Sequence, residues 1–112
     1  VPEHYMLDCL VTMSAKSRFT ITIAGQYHLS LTPETKQLTL IGPGFNHTRP
    51  CQVDTSKPVK IQVLNEGKLI ECFVNDQFAQ TCTAGTAREK KLGISSEGDG
   101  VAILKLLVKT CK

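Results

Sequence analysis

The chain has 112 residues, 41% of them hydrophobic and 21% charged, and a net charge of +3. That is enough for one domain burying roughly two-thirds of its unfolded surface, and no apolar run is long enough to span a bilayer as a helix. The basic residues scatter from Lys16 to Lys112 and only Arg88, Lys90 and Lys91 cluster. A solvated loop accounts for that cluster better than a phosphate-binding stripe, so nucleic acid is not an expected partner.

Hydrophobicity alternates with a period of two almost everywhere, which predicts half-buried antiparallel strands. In 4–13, Tyr5, Leu7, Cys9, Val11 and Met13 are in phase. In 18–24, Phe19, Ile21 and Ile23 alternate with Thr20 and Thr22, and in 27–31, Tyr27, Leu29 and Leu31 alternate with His28 and Ser30. A strand at 37–41 is followed by a Pro- and Gly-containing stretch, 42–57, that reads as a crossover between sheets. Further strands are predicted at 58–64, 68–74, 77–83, 90–95 and 101–110. The breaks carry turn chemistry: Ala24-Gly25-Gln26, residues 31–36, Asn65-Glu66-Gly67, Asn75-Asp76 and Glu97-Gly98-Asp99-Gly100. No amphipathic helix, repeat or low-complexity segment is visible, and the whole of 1–112 reads as a single all-β domain, a two-sheet antiparallel β-sandwich.

The five cysteines, Cys9, Cys51, Cys72, Cys82 and Cys111, form no CxxC pair, and no histidine stands at ligand spacing from another donor. Neither zinc nor any cofactor is therefore expected. The odd count leaves at least one thiol without an intrachain partner. Cys9 and Cys111 fall in the first and last strands, and a bond between them would stabilise the fold by about 3–5 kcal/mol; the competing reading makes Cys9 a buried free thiol acting as a small hydrophobe. Asn46-His47-Thr48 is an N-glycosylation sequon within GPGFNHTRPCQ. With the cysteine content it points to a secreted or extracellular chain. The start at Val1, with no positively charged and then apolar leader, reads as a mature form or a domain excised from a larger protein. The Gly98-Asp99-Gly100 turn offers too few oxygen ligands for calcium.

The stretch KLIECFVNDQFAQTC, 68–82, sets Glu71 among apolar residues. A hairpin around Asn75-Asp76 pairs Phe73 with Phe78, Glu71 with Gln80 and Leu69 with Cys82 on one face, and puts Cys72 on the other. A catalytic carboxylate works with a second acid or a base, yet Asp76 is in the turn, and Asp54 and Glu66 fall in loops. His4, His28 and His47 are scattered, and no serine has a GxSxG context. Enzymatic activity is not expected of this chain.

The segment VKIQVLNEGKLIECFVND resembles the C-terminal β-sandwich of family 32 glycoside hydrolases, where a strand of the form S-x-E-x-F-x-N-D-G follows an apolar one; Glu71, Phe73, Asn75 and Asp76 fall in the corresponding places. FTITIAGQYHLSLTPETKQLTLIG and KKLGISSEGDGVAILKLLV are similar to that module's earlier and closing strands. The resemblance implies a jelly-roll sandwich of the concanavalin-like group, which includes laminin-G-like and lectin modules. It also implies that Glu71 is a sandwich residue, because the family's catalytic residues sit in a separate propeller whose Trp-Met-Asn-Asp-Pro-Asn and Arg-Asp-Pro motifs are absent. Gln77 stands where the family has Gly.

Two functions follow as expectations. The first is a non-catalytic module for carbohydrate recognition, free or beside an adjoining sugar-cleaving domain, binding through Glu71, Phe73, Phe78 and Gln80 with Tyr27 or His28 contributing from another strand. Against it stand the absence of Trp and an aromatic share of 5%, and the competing reading of Phe73 and Phe78 as core. The second is an extracellular protein-interaction or structural domain displaying 42–57 and 84–91, where Arg49 beside Phe45 is the nearest approach to a contact hot spot.

Overall fold

Ten strands, β1 (His4–Thr12), β2 (Arg18–Ile23), β3 (Tyr27–Thr32), β4 (Gln37–Gly42), β5 (Phe45–Pro50), β6 (Val59–Glu66), β7 (Leu69–Val74), β8 (Gln77–Thr83), β9 (Leu92–Glu97) and β10 (Ala102–Thr110), make up the computed structural model, which describes residues 4–66, 69–83, 92–98 and 100–110. They form two five-stranded antiparallel sheets: sheet A in the order β10-β1-β6-β7-β8 and sheet B in the order β5-β4-β3-β2-β9. The fold is the expected all-β sandwich.

The period-two pattern sets the layers. Leu7, Val11, Ile61, Val63, Ile70 and Cys72 of sheet A face Phe19, Ile21, Ile23, Leu29, Leu31, Leu38 and Leu40 of sheet B, all buried. Burying each large aliphatic side chain contributes about 1.5–3 kcal/mol, and the branched Cβ atoms of the Val and Ile residues suit a pleated surface. Two hairpins turn on residues with positive φ: Ala24 (54°) with Gly25 (72°), and Asn75 (51°) with Asp76 (66°). Such pairs have the twist that joins adjacent antiparallel strands.

Two expectations are corrected, and for Cys9 one of the two open readings is met. The stretch 42–57 is not simply a crossover: Gly42 to Phe45 make a hairpin turn, and Phe45–Pro50 return as β5, the edge of sheet B, paired with β4 from Gln37↔Pro50 to Gly42↔Phe45. Its exposed residues, from Asn46 to Pro50, give no apolar alternation to read. The predicted turn at Asn65-Glu66 is strand instead, since β6 runs through Glu66 and Asn65 pairs with Tyr5 and Ile70; Gly67 lies outside the described residues. Cys9 is a buried free thiol, opposite Leu106 of β10 and Ile61 of β6. Cys111 lies outside the described residues, as do Asp99 and the 84–91 loop. No disulfide joins the described cysteines.

Candidate functional site

The sequence-derived site does not assemble as written, because the β7–β8 ladder contains a bulge. Phe73 pairs with Phe78 and Val74 with Gln77, but beyond Phe73 the register shifts, so that Cys72 pairs with Gln80, Glu71 with Thr81 and Ile70 with Cys82. One extra residue on β8, Ala79, opposes no partner of its own, and every later β8 residue changes face. Gln80, predicted beside Glu71, is fully buried between the sheets. Its Nε2 donates to the carbonyl oxygens of Leu38 (3.0 Å) and His47 (2.9 Å), closing the sandwich along the β5/β8 side. Its Oε1 is buried with no hydrogen-bond partner. Gln80 is a tie between sheets, not a surface ligand.

Glu71 and Phe73 do share the outward face of sheet A, where the ladder sets them opposite Leu64 and Gln62. Gln62 donates to Asp8 at 2.6 Å. The register places Phe78 opposite Phe73. Tyr27 is buried in the core, and His28 lies on the outward face of sheet B, where its Nδ1 meets the Thr22 hydroxyl at 3.0 Å. Neither reaches the Glu71 side of the molecule. The outward face of sheet B is hydroxyl-rich: Thr20 bonds Ser30 at 2.9 Å and Thr39 bonds Thr48 at 3.1 Å. Its hydroxyls largely satisfy one another across the ladder.

A concave feature lies elsewhere. A cleft of about 520 Å³, lined by Arg49, Pro50, Cys51, Gln52, Val74, Asn75 and Gln77, opens at one end of the sandwich. One wall is the end of β5 and the segment after it, anchored where the Cys51 amide donates to the Lys36 carbonyl at 2.8 Å. The other wall is the β7–β8 turn, pinned because the Asn75 amide donates to the Lys60 carbonyl at 2.8 Å and Asn75 Oδ1 accepts from the Lys60 amide at 3.0 Å. Arg49 pairs with inward-facing Leu38, yet it is exposed because β5 is an edge strand. Burial raises the Cys51 thiol pKa, so it is protonated at neutral pH.

Electrostatically the cleft is one-sided. Among the described residues its lining holds Arg49 and no carboxylate. The nearest acid in sequence, Asp76, is held 2.7 Å from Lys60 Nζ, an exposed pair; that hydrogen bond is the main reason the Lys60 pKa is raised. Asp54 accepts from the Ser56 hydroxyl at 2.6 Å and amide at 2.9 Å, which lowers its carboxyl pKa. Among the described residues no three His, Cys, Asp or Glu side chains gather to hold a metal, and no helix is long and apolar enough to cross a membrane. Asn75 entered the sequence reading as a turn residue and as a position of the family 32 resemblance, not as a ligand-binding residue. Gln52 carried no signal and Gln77 only a departure from the family's Gly, because the cleft exists only where β5 and the β7–β8 turn meet.

No family model matches the sequence, and no curated protein matches it significantly. Solved structures do share the fold. A carbohydrate-binding module of Bacillus subtilis, CBM66, superposes with a TM-score of 0.77 at 9% identity over 97% of this chain and 76% of that one. A galectin of Caenorhabditis elegans gives 0.75 at 19% identity over 95% and 82%, and sheep galectin-11 gives 0.74 at 10% over 96% and 91%. The fold is thus a sandwich of the kind found in carbohydrate-binding modules and galectins.

Proposed function

We propose that this chain is a non-catalytic carbohydrate-recognition domain that takes its ligand in the cleft between β5 and the β7–β8 turn. The observation that carries the proposal is the cleft's lining: the planar Arg49, Gln52, Asn75 and Gln77 groups beside the apolar Pro50 and Val74. Amide and guanidinium groups suit sugar hydroxyls, and an apolar strip suits the C–H face of a sugar ring; few polar groups in a concave, partly apolar site is the general form of a ligand pocket. The neighbouring bulge in β8 is a device that strands use to re-aim side chains beside functional sites. The fold relatives, titled as a carbohydrate-binding module and galectins, support the same reading. An extracellular setting fits it.

The sequence resemblance to the sandwich of family 32 glycoside hydrolases makes fructan oligosaccharides the first neutral ligands to test, and an adjoining sugar-cleaving domain the first partner. The test is calorimetric titration of the chain with neutral and acidic oligosaccharides, repeated with Gln77→Ala in the cleft and with Glu71→Ala and Phe73→Ala on the outward face of sheet A. Binding lost only in Gln77→Ala supports the cleft. Binding lost only in the other two variants moves the site to that outer face. No binding to any oligosaccharide overturns the carbohydrate reading.

The second reading, a protein-interaction domain, is favoured by β10. Ile103, Leu104, Leu106, Leu107 and Val108 are 38–55% exposed on that one edge strand, an apolar density unusual for a free edge.

A further inference from the structure

We infer that the sugar recognised in the cleft carries an anionic oxygen group, a carboxylate or a sulfate, and that Arg49 is its anchor. The inference rests on the carbohydrate reading and names the ligand class within it. Three observations carry it.

The first is the state of Arg49. Its side chain is exposed at the cleft and makes no ion pair or hydrogen bond among the described residues. Lys60 and Arg18, by contrast, already face Asp76 and Glu97. The guanidinium thus keeps its planar fork of donors available, a shape that matches two coplanar anionic oxygens.

The second is the direction of the other polar groups. An amide side chain offers two donor hydrogens and two acceptor lone pairs, but one of the Asn75 lone pairs is taken: Oδ1 accepts the Lys60 amide proton. That bond fixes the amide's orientation and leaves Asn75 two Nδ2 donor hydrogens against one remaining lone pair on Oδ1. The Cys51 thiol, kept protonated by burial, adds a weak donor. Gln52 and Gln77 are exposed and free to turn either way. The cleft therefore has an excess of donors, whereas a neutral sugar hydroxyl is best met by donors and acceptors in balance. An ionised carboxylate or sulfate oxygen only accepts.

The third is the absence of a competitor. No carboxylate among the described residues lines the cleft. Asp76, beside it in sequence, is tied to Lys60, and Asp54 is tied to Ser56. A net charge of +3 draws acidic glycans towards the whole chain.

The test titrates the chain with a uronate oligosaccharide, a sulfated oligosaccharide and a neutral one of equal length, at low and high salt, and repeats each arm with Arg49→Gln, Arg49→Lys and Gln77→Ala. Arg49 is exposed, so its variants are expected to keep the parent circular dichroism and melting temperature. The expected result is at least about tenfold weaker binding of an acidic oligosaccharide by Arg49→Gln and a partial loss in Arg49→Lys, which keeps charge but not the fork. Added salt weakens binding to the parent chain. The preferred acidic arm tells carboxylate from sulfate. Equal binding of neutral and acidic oligosaccharides, lost in Gln77→Ala but unchanged in Arg49→Gln, overturns this inference and leaves the carbohydrate reading standing. No binding in any arm overturns both.

Discussion

Gln80 Nε2 donates a 3.0 Å hydrogen bond to the carbonyl oxygen of Leu38, joining the edge strand β8 of sheet A to β4 of sheet B. The same nitrogen reaches the His47 carbonyl at 2.9 Å, so one amide spans both sheets beside the cleft. Removing it by Gln80→Ala deletes both bonds and opens a cavity, a loss of about 3 kcal/mol. Gln80→Met keeps most of the volume and also removes the unpartnered Oε1, so about half of that loss is expected. Urea unfolding monitored by circular dichroism checks the order; an equal loss in the two variants would show that hydrogen bonding, not packing, accounts for the residue.

The Asn75-Asp76 turn forms the cleft wall through two consecutive residues with positive φ. Asp tolerates that region, Gly prefers it, and a β-branched residue is strained there. Asp76→Val should therefore lower stability by about 1–2 kcal/mol, while Asp76→Gly should hold or raise it even though the exposed Lys60 pair is lost, since solvent screens such a pair. Thermal unfolding of the two variants gives the comparison.

Gly42 sits under an aromatic corner. The Phe45 ring lies 6.2 Å from Tyr27 and 4.9 Å from His47, centroid to centroid. A Cβ on Gly42 would stand 2.7 Å from Tyr27 Cδ1 and closer still to the Phe45 ring. Gly42→Ala must push Phe45 outward, at a loss of about 1–3 kcal/mol. A lowered melting temperature with changed near-ultraviolet dichroism is the expected signature.

Burial pushes the Cys72 thiol up to about 12, with smaller contributions from Cys82 and Glu71. Cys9, Cys82 and Tyr5 are raised by burial too. An acid whose pKa is higher in the folded state keeps its proton while the unfolded chain has lost it, so the unfolded state binds fewer protons and stability falls as pH rises. The window opens near the ordinary thiol value of 9.0 and closes near 12 for Cys72, a loss approaching 4 kcal/mol at its upper end. Urea midpoints from pH 8 to 11 should decline in the parent chain and decline less in Cys72→Val. An identical slope in both would remove Cys72 as the cause.

Asn46 is exposed on β5, opposite Ile41 on the outward side of sheet B, whereas Arg49 is opposite inward-facing Leu38. A glycan on Asn46 would therefore leave the cleft open. Expression in a secretory host should give a mass shift removable by an N-glycosidase and absent in Asn46→Gln, with unchanged oligosaccharide affinity.

Much of the fold was legible in the sequence because a half-buried strand writes itself as alternation. Phe19, Ile21 and Ile23, or Val59, Ile61 and Val63, announce both a strand and its inner face, and Ala24-Gly25 and Asn75-Asp76 announce where the chain reverses. Those signals are local, fixed by backbone sterics and the two-residue period of side-chain direction. Three things were decided only in three dimensions. The β8 bulge at Ala79 turned Gln80 from a surface ligand into a buried tie, because one inserted residue reverses every side chain beyond it. The edge position of β5 left FNHTRP without the alternation that burial imposes. The cleft arose where Arg49 and Asn75, far apart in the chain, meet because the edges of both sheets lie on the same side of the sandwich, a proximity that no local pattern encodes.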